Sequence, residues 1–235
     1  MNTQDNKKLS LRILVLITSP KLAEKATKMF HNAAIPIHYA LSAVGTASSD
    51  MMDILGLGSI DKTMLISVLP KSFIYEIMHK LKKELKIGTV NSGIAFTIPM
   101  SSANKFMVRM IEQYEESNNS LIEKKEETSV TDIKNVMIAA VVNQGFSDEV
   151  MNSAKAAGAV GGTVIHSRRI GDEKVMAAWG FGVQEEKEIV LIVTSTKNKL
   201  KIMQAISEKC GIRSDAKGML VSLPIDSVIG MNDDD

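Results

Sequence analysis

Arginine is scarce in this chain of 235 residues: only five of its 28 basic residues are Arg, and two of those, Arg168 and Arg169, are adjacent. They follow a β-branched run at residues 163–167 and lead into a loop that carries Gly171 and Lys174. A planar guanidinium fork can hold a carboxylate or a phosphate with two parallel hydrogen bonds, so a strand end of this kind could seat an anion. Neighbouring strand residues point to opposite faces, which lets only one of the pair face a given cleft. Eight residues beyond Gly171 the run Trp179-Gly180-Phe181-Gly182 interleaves aromatic rings with glycine. Those rings either stack on a base or a partner or anchor the loop to its sheet.

Catalytic constellations are missing from the sequence. There is no Gly-X-Ser-X-Gly, no phosphate-binding P-loop, no His-Glu-X-X-His and no Cys-X-X-Cys. Gly56-Leu57-Gly58 lacks the third glycine of a dinucleotide fingerprint, and a strand, not a helix, is predicted after it. The single cysteine, Cys210, rules out an internal disulfide and fits a reducing cytoplasm, and the first ten residues lack the apolar core of a signal peptide. A net charge of +1 argues against bulk attraction to nucleic acid. The expectation is a non-enzymatic cytoplasmic protein.

The elements that would position these residues occur twice. In each half an apolar run (residues 11–18 and 136–142) precedes an amphipathic helix and a second β-branched run (35–44 and 163–167). A glycine-containing loop and a third strand follow (64–69 and 189–194). Ile74, Ile77, Met78, Leu81 and Leu85 fall on one face of a second helix, and Leu200, Met203, Ile206 and Cys210 form the matching stripe. The last strands, Gly-Ile-Ala-Phe-Thr-Ile-Pro at 93–99 and Gly-Met-Leu-Val-Ser-Leu-Pro at 218–224, share glycine, a hydroxyl residue, a branched residue and proline at identical spacing.

Residues 112–132 hold seven acidic and two basic side chains and read as an acidic linker, part of which could be a solvated helix. The predicted organisation is therefore a first domain at 1–111, the linker at 112–132 and a second domain at 133–235. Each domain is expected to be α+β, a ferredoxin-like βαββαβ unit with a four-stranded antiparallel sheet and two helices on one face. Strands apolar on both sides leave the other face of each sheet in need of cover, so oligomerisation or packing of sheet on sheet is expected.

At this point the residues resemble the nitrogen regulatory protein P-II family. The likeness spans about 136–228: Phe146 before Asp148-Glu149-Val150, Gly161-Gly162-Thr163-Val164 reaching Gly171, and a terminal strand from Gly218 to Pro224. The first half resembles a degenerate copy, with Ile37 at the position of Thr163 and Gly45 as its loop glycine. The resemblance implies a trimer that binds an adenine nucleotide (ATP, ADP or AMP) and regulates a partner protein such as a membrane transporter or metabolic enzyme. The ligand-binding residues it implies are Thr163, Arg168, Arg169, Gly171, Glu173, Lys174, Arg213, Lys217 and Gly218. The segment from Arg213 to Gly218 takes the place of the family's second phosphate-binding loop, although as a solvated turn it would need no function.

Departures from the family limit what carries over. Glu173 stands where the family's Gln helps hold Mg²⁺ and 2-oxoglutarate, and a carboxylate there repels a dicarboxylate. Met219 replaces a phosphate-binding Lys. An alternative of a different class is a trimeric divalent-cation-binding protein with His166, Asp172 and Glu173 as ligands; His31, His38 and His79 have no ligand spacing among themselves.

Overall fold

The structure is a computed structural model that describes residues 10–35, 38–46, 61–101, 103, 105–117, 133–168 and 186–231. In the first half the elements are β1 (Leu11–Thr18), α1 (Pro20–Asn32), β2 (His38–Gly45), β3 (Asp61–Pro70), α2 (Lys71–Glu84), β4 (Ile94–Pro99) and α3 (Lys105–Ser117). The second half supplies β5 (Asn135–Asn143), α4 (Ser147–Ala156), β6 (Thr163–Arg168), β7 (Glu186–Ser195), α5 (Lys199–Cys210), β8 (Met219–Ile225) and β9 (Ser227–Ile229). The βαββαβ order thus occurs twice. No helix among the described residues is long and apolar enough to cross a membrane.

The expected pair of separate four-stranded sheets is not what forms. Hydrogen-bonded ladders run in the order β8-β5-β7-β6-β2-β3-β1-β4-β9, one sheet of nine strands. Two local pairings account for the difference. The end of β2 pairs antiparallel with β6 (Val44 with Val164, Gly45 with Thr163), and the short β9 pairs antiparallel with β4. A strand edge carries unpaired N–H and C=O groups, and each of these additions satisfies part of such a row. The chain divides into two compact units: 1–40, 64–131 and 226–231 in the first, 41–63, 132–225 and 232–235 in the second.

In the first unit, α1 and α2 cover one face of the sheet. Leu14 and Leu16 from β1 and Leu65 and Leu69 from β3 pack with Ala23, Ala26 and Phe30 of α1 and with Phe73, Ile74, Ile77, Met78 and Leu81 of α2. The period-2 alternation of the strands meets the 3.6-residue stripe of the helices, as the sequence requires. Helix α3 forms where the acidic stretch begins, so residues 112–117 are helical. Its Ile111 is buried with Leu11 and Val68, while Tyr114 lies against Phe73 and donates a hydrogen bond to the Ala33 carbonyl.

The C-terminal strand closes the outer edge of β4. Ser227, Val228 and Ile229 lie opposite Thr97, Phe96 and Ala95, and Ile229 packs against the first core. Just before β9, the Asp226 carboxylate accepts hydrogen bonds from Arg12 Nε and from Thr97 Oγ1, with both partners of the ion pair largely shielded from water. Gly230, at φ 94°, ends the strand where backbone leaves no room for a side chain, since a Cβ there would come within 2.6 Å of the Gly93 carbonyl oxygen.

The second unit repeats the arrangement. Val136, Ile138, Ala140 and Val142 of β5 and Val190 and Ile192 of β7 pack against Val150, Met151 and Ala154 of α4 and Ile202, Ile206 and Cys210 of α5. The expected stripe on α5 is rotated: Leu200 is 66% exposed, and Ile202 takes the core position. The glycine shared by the two terminal-strand motifs has the same steric cause in both. A Cβ on Gly93 would meet the Ile17 carbonyl oxygen at 2.2 Å, and one on Gly218 would meet that of Cys210 at 1.9 Å.

Candidate functional site

The two basic segments singled out in the second half leave from the same end of the β5–β7 pair. Strand β6 ends at Arg168, whose register partner is Glu186, the first residue of β7. Next on β7 comes Lys187, which is largely buried and sits opposite Asn143, the last residue of β5. The Lys187 ammonium donates to Asn143 Oδ1, while Asn143 Nδ2 donates to the Asp215 carbonyl at 2.7 Å. The backbone repeats the link, with the Asn143 N–H bonded to the Ala216 carbonyl. A single amide side chain therefore joins the start of β7 to the turn that carries Arg213 and Lys217. Buried amides and ammonium groups are costly unless hydrogen-bonded, which is why this link holds its geometry.

The turn itself is rigid. Gly211 and Gly218 form a bridge across its base, Ser214 Oγ and its backbone N–H both donate to the Gly211 carbonyl, and the Lys217 N–H donates to the Ser214 carbonyl. Lys217 adopts the left-handed backbone conformation at φ 48°. Arg213 and Asp215 are exposed and Lys217 is half-buried, so the charged groups of the turn are presented to solvent at its rim.

A buried carboxylate lies one residue further along β7. Glu188 Oε2 accepts from the Ser147 N–H at 2.9 Å, so it satisfies a free donor at the N-terminus of α4 and meets the positive end of the helix dipole. Its other oxygen lies 3.8 Å from His166 Nδ1, on the register partner across the β6–β7 ladder. This is a structural role for Glu188. No group of three His, Cys, Asp or Glu side chains placed to hold a metal ion occurs among the described residues.

Each residue of the expected binding set can now be placed. Thr163 is buried at the start of β6, between Leu191 of β7 and Gly45 of β2, and its neighbour Gly162 is bonded to Thr46. Thr46 Oγ1 accepts from the Gly162 N–H at 2.7 Å and donates to its carbonyl at 2.9 Å, with Lys155 Nζ donating to the Thr46 carbonyl. Thr163 thus stands in a strand ladder at the opposite end of β6 from Arg168. Arg213, Lys217 and Gly218 fall together in the turn. Arg169, Gly171, Glu173 and Lys174 lie outside the described residues, as do Asp172, Trp179 and Phe181.

Sequence reasoning missed Lys187 and Asn143. Lys187 stands in the run Glu185-Glu186-Lys187-Glu188, where it reads as one more solvated charge before a strand. Only strand register shows that it faces Asn143.

No family model and no curated protein matches the chain. Among solved structures it is similar to PII from Arabidopsis thaliana bound to citrate, at 19% identity and a TM-score of 0.32, over 41% of this chain and 79% of that one. It is also similar to the divalent ion tolerance protein CutA1 from Ehrlichia chaffeensis, at 12% identity and a TM-score of 0.35, over 46% of this chain and 96% of that one.

Proposed function

We propose that the chain is a non-enzymatic regulatory protein of the P-II type, which binds a small anion beside the turn at 211–218 and passes its presence to a partner protein. An adenine nucleotide (ATP, ADP or AMP) is the ligand that the resemblance favours, and a membrane transporter or a metabolic enzyme is the partner. The observation that supports this reading is the Lys187–Asn143–Asp215 link, which holds a buried ammonium next to a turn bearing Arg213 and Lys217. Arg213 and Lys217 at the rim of this turn supply positive charge that helps an anion offset its lost hydration. Ligand contact with residues 169–185, which contain Arg169, Glu173 and Lys174, would then bias what those residues show to a partner.

Calorimetry on the full chain with ATP, ADP and AMP tests the reading. One nucleotide should bind, and at 100 times its Kd should stabilise the fold by about 2.7 kcal/mol. Changing Arg168, Arg169 and Lys174 together to Ala should weaken it by at least about 2 kcal/mol, given roughly 1.5–3 for each charged hydrogen bond made. Affinity that survives this change and that of Arg213 and Lys217 would move the site elsewhere, and no binding by any of the three would remove the nucleotide.

A further inference from the structure

The two units follow their second helix with the same turn and put different side chains on it. Counted back from the shared glycines Gly93 and Gly218, residues 86–93 correspond to residues 211–218. In each turn a hydroxyl residue, Thr89 or Ser214, donates through its side chain and its N–H to the carbonyl three residues earlier. Three residues further on, the N–H of Ser92 or Lys217 donates to the carbonyl of that hydroxyl residue. The end of the unit's first strand ties each turn down: the Thr18 hydroxyl donates to the Ser92 carbonyl, and Asn143 donates to the Asp215 and Ala216 carbonyls. Where the second turn carries Arg213, Asp215 and Lys217, the first carries Gly88, Val90 and Ser92.

Val90 is therefore held out on a hydrogen-bonded turn, and it is 92% exposed. The core does not call for it, since Ile87 supplies the buried contact of this turn. The backbone does not call for it either, because the same turn in the second unit accepts Asp215. An apolar side chain fixed in water gains free energy only when another apolar phase receives it.

Exposed lysines surround this tip. Lys82, Lys83 and Lys86 lead into the turn from α2. Helix α1 starts beside it, because Thr18 is bonded to Ser92, and Lys21 and Lys25 project from the α1 stripe opposite the buried Ala23, Ala26 and Phe30. The glutamates of these two helices are Glu24 and Glu76, each in an ion pair with a lysine four residues on, and Glu84. Helices α1 and α2 together hold seven lysines against three glutamates, whereas α4 and α5 hold four lysines against three acids, so the fold itself does not demand a basic layer.

We infer that the turn at 86–93 docks on an anionic lipid surface, with Val90 entering the acyl boundary and the surrounding lysines lying over the headgroups. The collar contains no arginine, and its apolar residue protrudes from it. Ammonium charges on flexible stems suit a fluid layer of anionic headgroups, while a single fixed phosphate or carboxylate is better gripped by guanidinium forks. An apolar tip and a basic collar are two weak signals that together give reversible attachment. In the sequence Asp233, Asp234 and Asp235 follow Gly230, whose backbone lies against Gly88, so neutralising them should strengthen the attraction.

Sedimentation of the full chain with phosphatidylcholine vesicles, with and without about one-third phosphatidylglycerol, tests the inference. The chain should bind the anionic vesicles and not the neutral ones, and high salt should release it. Val90→Ser should weaken binding about fivefold and Val90→Trp should strengthen it. Joint replacement of Lys82, Lys83 and Lys86 by Gln should weaken it about tenfold or more, and Asn at 233–235 should tighten it. Val90 and the lysines are exposed, so these variants should unfold in urea as the parent does. No binding to anionic vesicles at low salt, equal binding to neutral ones, or indifference to Val90→Ser would each overturn the inference. So would release by millimolar inorganic phosphate, which would make the ligand a free anion, or equally tight retention of soluble polyglutamate, which would make the partner an acidic protein. None of these outcomes depends on nucleotide binding at residues 211–218.

Discussion

At the scale of single residues, burial has made Cys210 inert. It lies at the end of α5 in the second core, and loss of hydration, with the Glu149 carboxylate adding to it, pushes its thiol from the usual 9.0 to about 11. The thiolate is the nucleophile, so the folded protein should resist alkylation at pH 8 while the urea-unfolded chain reacts. The same shift couples to stability. Between about pH 9 and 11 the unfolded chain releases this proton and the folded chain keeps it, so stability is intact below 9 and declines as pH rises through that window. Urea titrations at pH 8.5, 9.5 and 10.5 should give a smaller decline for Cys210→Ala than for the parent, because lysines titrate alike in both. Equal slopes would mean that the thiol is not protected by folding.

At the scale of elements, β9 is too short to hold by its ladder alone. Three register pairs are supplemented by the Asp226 carboxylate, which ties Arg12 and Thr97 together, and by the close approach of Gly230 to Gly93. Replacing Asp226 by Ala leaves a largely shielded guanidinium without its counter-ion and should cost about 2 kcal/mol, the usual worth of a charged hydrogen bond. Asp226→Asn, which keeps an acceptor for Thr97, should cost less. The distinctive readout is hydrogen exchange: amides of β4 should lose protection in Asp226→Ala while those of β5 and β7 do not. Uniform loss across the sheet would show that the segment acts on global stability and not as a local closure.

For the whole molecule, the expectation of assembly rests on strands that are apolar on both sides, such as Ile13, Val15 and Ile17 against Leu14 and Leu16 of β1. Of these, Leu14 and Leu16 belong to the core under α1 and α2. Val15 and Ile17, on the face away from those helices, are also buried within one chain, and α3 covers Leu11 and Val68, so burial of that face does not by itself call for a second copy. Under the proposed P-II-like reading, light scattering at micromolar concentration should report a multiple of three chains of 25.6 kDa. A mass of one chain would sink the trimer and leave the loop-base site to be completed by residues of one copy.

What the sequence determined by itself is the repeated βαββαβ order and most of the faces that form each core, the α5 stripe with its exposed Leu200 excepted, because both follow from local rules. Alternation along a strand and the stripe on a helix name the buried face without knowledge of any partner, and the shared glycines at Gly93 and Gly218 mark places where a Cβ cannot fit. Only the tertiary structure decided how the strand edges are used. Pairing of Gly45 with Thr163, and of the tail with β4, depends on backbone groups that every sequence carries, so no side-chain pattern announces it. The same holds for the loop base. Lys187 and Asn143 are 44 residues apart, and the register of β5 against β7 is what makes a solvated-looking lysine into a buried one.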